Sequence, residues 1–339
     1  MEEKIKTIPE DFIVNESKCL LYSRVPIVNG YIMLSMRKKG YTTFQAIDYI
    51  AQYFNLKAKE IHYCGLKDED AVTMQLISIH FMNVYILNKL DGFNESFNNN
   101  ENYIEIRHVG YSDDDLKIGD LEGNVFTLTI RNVDVNKSND LLKKKKLRLY
   151  FPNYFDKQRF GVKDKIKNTH KIGQYILEEK YEKAINEVIT AGVPEAEYAA
   201  SLRDNPKAFF DSIDKRKLSF YMNSYASNLY NNDLKEIIRG TLDSVLVTDE
   251  NIEFILPRKF QELINISEVY PYIRRTSYQM RDNEIVEKQD ANRPLVVNTL
   301  IRFHQVFNDA YYPGKQAIRL SFFLESGCYA TMAIKQLFV

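Results

Sequence analysis

The residue types best suited to chemistry sit in one short stretch. Residues 62–81 read HYCGLKDEDAVTMQLISIHF, with Lys67 and Asp68 adjacent, just after Gly65 and ahead of an apolar run. A glycine permits a sharp loop, and junctions of this kind are where a scaffold presents reactive side chains. A carboxylate there can act as a nucleophile or as a general acid–base group. The same aspartate also reads as a solvated turn residue, because Asp in polar loops commonly bonds nearby backbone. Thr73 and Gln75 share one face of the strand expected to follow, and their placement suits hydrogen bonds that hold the loop. Cys64 beside the loop reads as a buried, inert thiol.

Other chemistries have less footing. Cys19, Cys64 and Cys328 are odd in number and far apart, which suggests neither a disulfide framework nor a CxxC site. The five histidines lack metal-ligand spacing. The basic run Lys143-Lys144-Lys145-Lys146-Leu147-Arg148 reads either as a solvated helix face or as an RNA-facing surface.

The elements that must position these residues follow from pattern. Pro9-Glu10-Asp11 marks a turn in an extended segment, with Phe12-Ile13-Val14 after it. Thr42 or Thr43 caps a helix whose apolar face carries Phe44, Ile47, Ile50, Ala51 and Phe54. Val72–Phe81 reads as a buried strand, and the Asn-rich residues 91–102 as a loop tip. Phe126, Leu128 and Ile130 alternate with polar neighbours in a strand within 119–133. Helical patterns dominate after residue 161, with a stop at Gly192 and Pro194 and a further helix over 219–239. Ile318, Leu320, Phe322 and Leu324 return to strand spacing. Strands, a helical middle and a terminal strand predict an α+β fold whose chain is interrupted by an inserted second domain.

The composition fits a folded protein. There are 339 residues, with 46 Lys+Arg against 46 Asp+Glu, 45% hydrophobic residues, and 23 Tyr and 20 Phe but no Trp. This excludes a disordered chain and a highly basic coat protein, and any basic surface must be local. An acidic start without an apolar core is unlike a secretory signal, no apolar run suits a membrane span, and the expected compartment is the cytoplasm.

GLKDEDAVTMQLIS resembles the signature of the TruD family of tRNA pseudouridine synthases, G-x-K-D-x-x-A-x-T-x-Q followed by an apolar residue and Ser. Lys6-Thr7-Ile8-Pro9-Glu10-Asp11-Phe12-Ile13-Val14 is similar to the family's K-x-x-P-E-D-F-x-V, and Gly123-Asn124 with Phe126 to its G-N-x-F. Pro152-Asn153-Tyr154-Phe155 and Gln158-Arg159-Phe160-Gly161 are similar to P-N-Y-F-G-x-Q-R-F-G. Ser224-Tyr225 with Ser227, Leu229 and Asn231 resembles A-Y-Q-S-x-L-x-N. Gly327, Tyr329, Ala330 and Thr331 resemble G-S-Y-A-T. The matches keep the family's order from residue 6 to 331, unlike a lone short motif.

The resemblance implies isomerisation of uridine to pseudouridine in tRNA or another structured RNA, without metal, nucleotide or organic cofactor. In the bacterial branch the usual target is uridine 13 of tRNA. It implies Asp68 as the essential carboxylate, Lys6 as its partner, Phe155 as the stacking platform for the uracil, and Asn153 as a contact to the base edge or ribose. Lys67 then either touches a phosphate or shapes the loop, Arg159 either binds phosphate or serves a structural ion pair, and Phe160 is structural. Further candidate phosphate contacts are the 143–148 run, Lys215-Arg216-Lys217, Arg258-Lys259 and Arg274-Arg275. The implied architecture is a mixed-sheet catalytic domain, 1–160 plus 294–339, with a family-specific insert, 161–293, and an RNA-binding cleft between them. A monomer without a membrane or obligate protein partner is expected.

The chain departs from the family pattern in places. Asp156 stands where the family has Gly, so the backbone after Phe155 differs if that Gly needs a positive φ. Ala226 replaces Gln, Glu325 replaces Pro, and Lys335-Gln336 replaces Arg-Glu. Asp113-Asp114-Asp115 occupies a region that is often basic. Two alternatives to the enzyme are therefore an RNA-binding protein on the same fold with weak or no catalysis, and an enzyme acting on a smaller uracil-containing molecule.

Overall fold

The computed structural model describes residues 3–18, 22–99, 101–281 and 284–339, so Cys19 and Asn100 lie outside the described residues. Along the chain the strands are β1 (Phe12–Ser17), β2 (Tyr31–Lys39), β3 (Ile61–Tyr63), β4 (Val72–His80), β5 (Tyr103–Ser112), β6 (Gly123–Val133), β7 (Lys146–Pro152), β8 (Ser244–Asp249), β9 (Ile252–Pro257), β10 (Tyr272–Arg281), β11 (Glu284–Pro294), β12 (Val296–Asn308) and β13 (Gln316–Glu325). The helices are α1 (Thr43–Phe54), α2 (Leu90–Ser96), α3 (Val135–Lys144), α4 (Thr169–Leu177), α5 (Tyr181–Ala191), α6 (Ala196–Ser201), α7 (Pro206–Ser212), α8 (Lys215–Thr241), α9 (Leu263–Val269) and α10 (Ala330–Leu337). None of the described helices is long and apolar enough to cross a membrane.

The chain divides into two compact units, Glu2–Arg148 with Thr299–Gly327, and Leu149–Asn298 with Cys328–Val339. The strand order of the large sheet is β5-β2-β4-β1-β6-β13-β12-β7, with β3 on β4. It is mixed: β1 runs parallel to β4 and antiparallel to β6.

In the first unit α1 supplies the apolar layer. Thr42 caps it, accepting from Gln45 N at 3.2 Å while its own N–H donates to Gln45 Oε1 at 2.8 Å. Ala46, Ile47, Ile50, Ala51 and Phe54 are buried against Leu34, Met36, Ile77 and Ile79, each fully buried large side chain contributing about 1.5–3 kcal/mol of transfer free energy. Phe44 is 58% exposed, so it does not share the apolar face expected for it. Residues 90–96 are helical rather than a loop tip. Phe93 stacks on Phe54 and Phe97, and the Asn94 side chain brackets Ile106, donating to its C=O at 3.0 Å and accepting from its N–H at 2.8 Å. Aromatic packing overrides the polar composition there. Gly123 opens β6 against Leu324, where a Cβ would come within 2.2 Å of the carbonyl oxygen, so the first residue of the G-N-x-F stretch must be glycine.

The second unit is helical around α8, with the hairpins β8–β9 and β10–β11. These hairpins, and α10 after the last strand, lie beyond the simple order of elements read from the sequence. Ile172, Ile176, Ile185, Val188, Phe209, Tyr221 and Met222 form its core together with Ala226, so the departure at 226 fills a packed apolar position. The Lys143–Lys146 run is not one helical face. It crosses the end of α3, a left-handed Lys145 at φ 59° and the start of β7.

Candidate active site

Asp68 lies on the loop between β3 and β4. Its carboxylate meets Lys6 Nζ at 2.5 Å, and the side chains are 46% and 20% exposed, so the pair is formed yet reachable from solvent. The loop is tied from beneath. Lys67 N–H donates to Thr43 Oγ1 at 2.9 Å, Thr43 Oγ1 donates to Gln75 Oε1 at 3.1 Å, and Gln75 Nε2 donates to Gly65 O at 3.0 Å. Gln75 thus does hold the loop. Thr73 does not: its hydroxyl is buried without a hydrogen-bond partner among the described residues. Gly65 has no positive φ, and a Cβ there would meet only Lys67 Nζ at 3.8 Å, so the bend does not depend on glycine.

Beneath the same loop lies Lys38, fully buried. Its ammonium donates to the carbonyl oxygens of Tyr41 (2.8 Å), Lys67 (3.2 Å) and Asp68 (2.9 Å). Burial pushes its pKa down to about 8, against the attraction of Asp68 and Glu69. The loop is therefore organised on a desolvated cation. Lys67 itself turns inward. Its Nζ lies 3.7 Å from Glu16 Oε1, with side chains 7% and 1% exposed, and burial raises the Glu16 carboxyl despite the neighbouring lysine. Cys64 is buried too, and burial pushes its thiol up, away from reactivity.

Lys6 is positioned by the Pro9-Glu10-Asp11 turn. Lys4 pairs with Arg131 through two backbone hydrogen bonds of 2.9 Å. Lys6 adopts φ 62°, and its ammonium lies 4.2 Å from the centre of the Phe12 ring. Asp11 accepts two bonds of 2.7 Å from Arg131 and one of 3.2 Å from Ile8 N–H. Asp309 holds Arg131 from another side at 3.3 Å. This buried bidentate pair anchors the segment that carries Lys6. The acidic stretch 113–115 is partly structural. Asp115 accepts from Ser78 Oγ at 2.6 Å and from Leu116 N–H at 2.8 Å, and it also contacts His62.

Asn153, Phe155 and Arg159 belong to the second unit. Asn231 on α8 clamps the Phe155 backbone from both sides, accepting from its N–H at 2.9 Å and donating to its C=O at 2.8 Å. Ser227 accepts from Arg159 Nε at 3.1 Å, and Ser224 donates to Arg159 O at 3.2 Å. Residues 224, 227 and 231 share one helix face, which gives the spacing of the serines and asparagine a structural reason. Phe155 is 5% exposed. The Arg293 guanidinium lies 4.0 Å from its ring centre and that of Arg275 5.0 Å, with Tyr230 and Tyr329 edge-on. Arg293 also donates to Asn153 Oδ1 at 2.7 Å and to Asn153 O at 3.0 Å, while Asn153 Nδ2 donates to Pro294 O at 2.9 Å. Phe160 packs edge-on against His170, as a structural residue would.

Asp156 has φ −82° and ψ 168°, extended backbone open to any residue, so no left-handed glycine is needed there. Its carboxylate is buried, accepts from Lys157 N–H at 2.8 Å and Lys335 Nζ at 2.8 Å, and is also bonded by Thr331. Two departures from the family pattern, Asp156 and Lys335, are thus each other's partners.

Of the residues singled out from the sequence, Lys6 and Asp68 meet, while Asn153 and Phe155 are joined through Arg293. Sequence reasoning missed Lys38 and Arg293. Lys38 had a legible signal, because it continues the inward series Leu34, Met36 by the strand's period of two. Arg293 had none.

A family model described as tRNA pseudouridine synthase D (TruD) matches residues 1–203. A probable tRNA pseudouridine synthase D of Nanoarchaeum equitans is 26% identical over 399 residues, spanning 99% of this chain and 98% of that protein. Probable tRNA pseudouridine synthase D 2 of Methanocaldococcus jannaschii is 27% identical over 403 residues, spanning 99% and 92%. The crystal structure of a putative tRNA pseudouridine synthase D from Methanosarcina mazei superposes with a TM-score of 0.63 at 19% identity, covering 98% of this chain and 92% of that one, a likeness of fold.

Proposed function

Because this chain belongs to the TruD family of tRNA pseudouridine synthases, enzymes of the isomerase class, we propose that it isomerises uridine 13 of tRNA with Asp68 as the essential carboxylate. In this reaction the N1–C1′ bond breaks, a C5–C1′ bond forms, and a proton leaves C5 while one is taken up at N1. The observation that carries the assignment of Asp68 is the 2.5 Å ion pair with Lys6 on a half-exposed loop. The ammonium complements the carboxylate's charge and fixes its direction. Lys38, Thr43 and Gln75 hold the backbone that presents it, which supplies the pre-organisation a nucleophile or proton acceptor needs. Lys67, paired inward with Glu16, shapes the loop.

Phe155 stacks on the target uracil and Asn153 holds the base edge or ribose in this reading. Both are engaged by Arg293, so each role requires that guanidinium to move. The protein works as a cytoplasmic monomer without a cofactor. The test is tritium release from tRNA labelled at uracil C5, followed by mapping of the modified position. Asp68→Asn should bind tRNA with similar affinity and lose release by at least about a thousandfold. Release that survives the substitution rules out Asp68 as the essential group.

A further inference from the structure

Two guanidinium groups flank the Phe155 ring and a third, that of Arg159, lies over Phe220 at 5.3 Å within electrostatic reach of both, with no carboxylate paired to them among the described residues. Arg293 and Arg275 lie 4.0 and 5.0 Å from the ring centre. Arg159, four residues along the chain, lies close enough to both to repel them electrostatically. Among the described residues, no carboxylate forms an ion pair or hydrogen bond with any of the three. Arg159 donates to the Ser227 hydroxyl and Arg293 to Asn153. Arg275 Nε is buried with no hydrogen-bond partner among the described residues. Burial first, then mutual repulsion, holds Arg159 and Arg275 below the ordinary arginine range.

These three arginines are half-buried, and charges drawn out of water are ordinarily paired, since desolvation without compensation is costly. Planar donors this near to one another, without a paired carboxylate among the described residues, suit an anion that accepts several N–H groups at once, and phosphate is the anion that arginine forks fit best. The ring that Arg275 and Arg293 face is the one assigned to the flipped base, and a nucleotide brings a phosphate with its base.

We propose that Arg159, Arg275 and Arg293 form a binding site for a phosphodiester of the RNA strand beside Phe155. This rests on the synthase reading for the identity of the strand. A phosphate here gives Arg293 a new partner. The same movement clears the Phe155 ring and releases Asn153 Oδ1, so docking of the backbone and admission of the base are coupled.

The experiment measures tRNA affinity against salt for the full chain and for Arg275→Gln, whose side chain has the fewest protein partners to lose. Arg159→Gln repeats the test at a second guanidinium. Inorganic phosphate is titrated in parallel as a competitor. Arg275→Gln should bind tRNA about tenfold more weakly, lower the slope of log affinity against log salt by about 1, and blunt competition by phosphate. Arg275→Lys, which keeps the charge, should recover much of the slope. A merely structural arginine would leave the slope unmoved. Unchanged affinity and slope in both glutamine variants overturns the proposal. Loss of phosphate competition with an unchanged RNA slope overturns it in favour of a free-anion site. If the wild type binds tRNA with the expected slope change but releases no tritium, the synthase reading fails and the phosphate site stands.

Discussion

The second unit contains two sets of three cations, and Lys157 of one set lies two residues from Arg159 of the other. Lys157, Lys167 and Lys335 face Asp156, Asp249 and Glu250, with contacts of 2.7 Å (Lys157–Asp249), 2.8 Å (Lys157–Glu250 and Lys335–Asp156), 2.9 Å (Lys335–Asp249) and 3.2 Å (Lys167–Glu250). Arg159, Arg275 and Arg293 face an aromatic ring, a serine and an amide. The first set is neutral and its members satisfy one another. The second has no carboxylate paired to it among the described residues. A balanced network fixes architecture, tying Asp156 to α10 at a distance of 179 residues in sequence. An unbalanced one is stable only because the rest of the unit supports it, and such strain concentrates where a ligand is to be met.

The difference can be broken most sharply at Lys335. Lys335→Met removes the cation from a buried carboxylate, so urea unfolding should show a loss of about 3–5 kcal/mol. Arg275→Gln removes an unpaired charge and should cost less than about 1 kcal/mol by the same measurement. A comparable loss at both sites would erase the distinction between the sets.

The first unit holds a smaller version of the unbalanced case. Lys38 has a folded pKa of about 8, below its usual value of 10.5. Below pH 8 both folded and unfolded chains hold the proton, and the folded state bears the full cost of burying it. Between 8 and the ordinary lysine value the unfolded chain holds the proton and the folded one does not, so stability rises with pH, by about 3 kcal/mol in total. Unfolding free energies at neutral and alkaline pH should show this rise in the wild type and not in Lys38→Met. That variant should also turn over about a hundredfold more slowly, because the Asp68 loop loses the two tethers at Lys67 O and Asp68 O.

A smaller effect concerns the paired departures. Asp156→Asn with Lys335→Met should be less destabilised than the two single losses added together, by about 1–3 kcal/mol. Additivity in that cycle would mean that the two residues, though in contact, do not compensate each other.

Much of this was legible in the sequence. Strand alternation in β6 and β13, the threonine cap of α1, the stop at Gly192 and the segment carrying Lys6 all follow from spacing that the chain expresses locally. The family motifs gave Asp68, Lys6, Asn153 and Phe155 their expected roles. The helix at 90–96 was hidden because its polar composition resembles a loop, and Phe93 is drawn inside by Tyr53, Phe54 and Phe97. Asp156 was readable only as a glycine lost. Its partner is on another helix, and nothing in the sequence couples the two positions.

By itself, then, the sequence determined the family, the local elements and the residue types available for chemistry, since periodicity and motif order are properties of one dimension. The tertiary structure alone decided which charges are balanced. It turned Lys67 toward Glu16, placed the Lys38 ammonium under the Asp68 backbone, matched Lys335 to Asp156 and left Arg275 and Arg293 over Phe155 without a paired carboxylate among the described residues. Desolvation and ion pairing depend on neighbours in space, and those neighbours come from segments that the chain holds far apart.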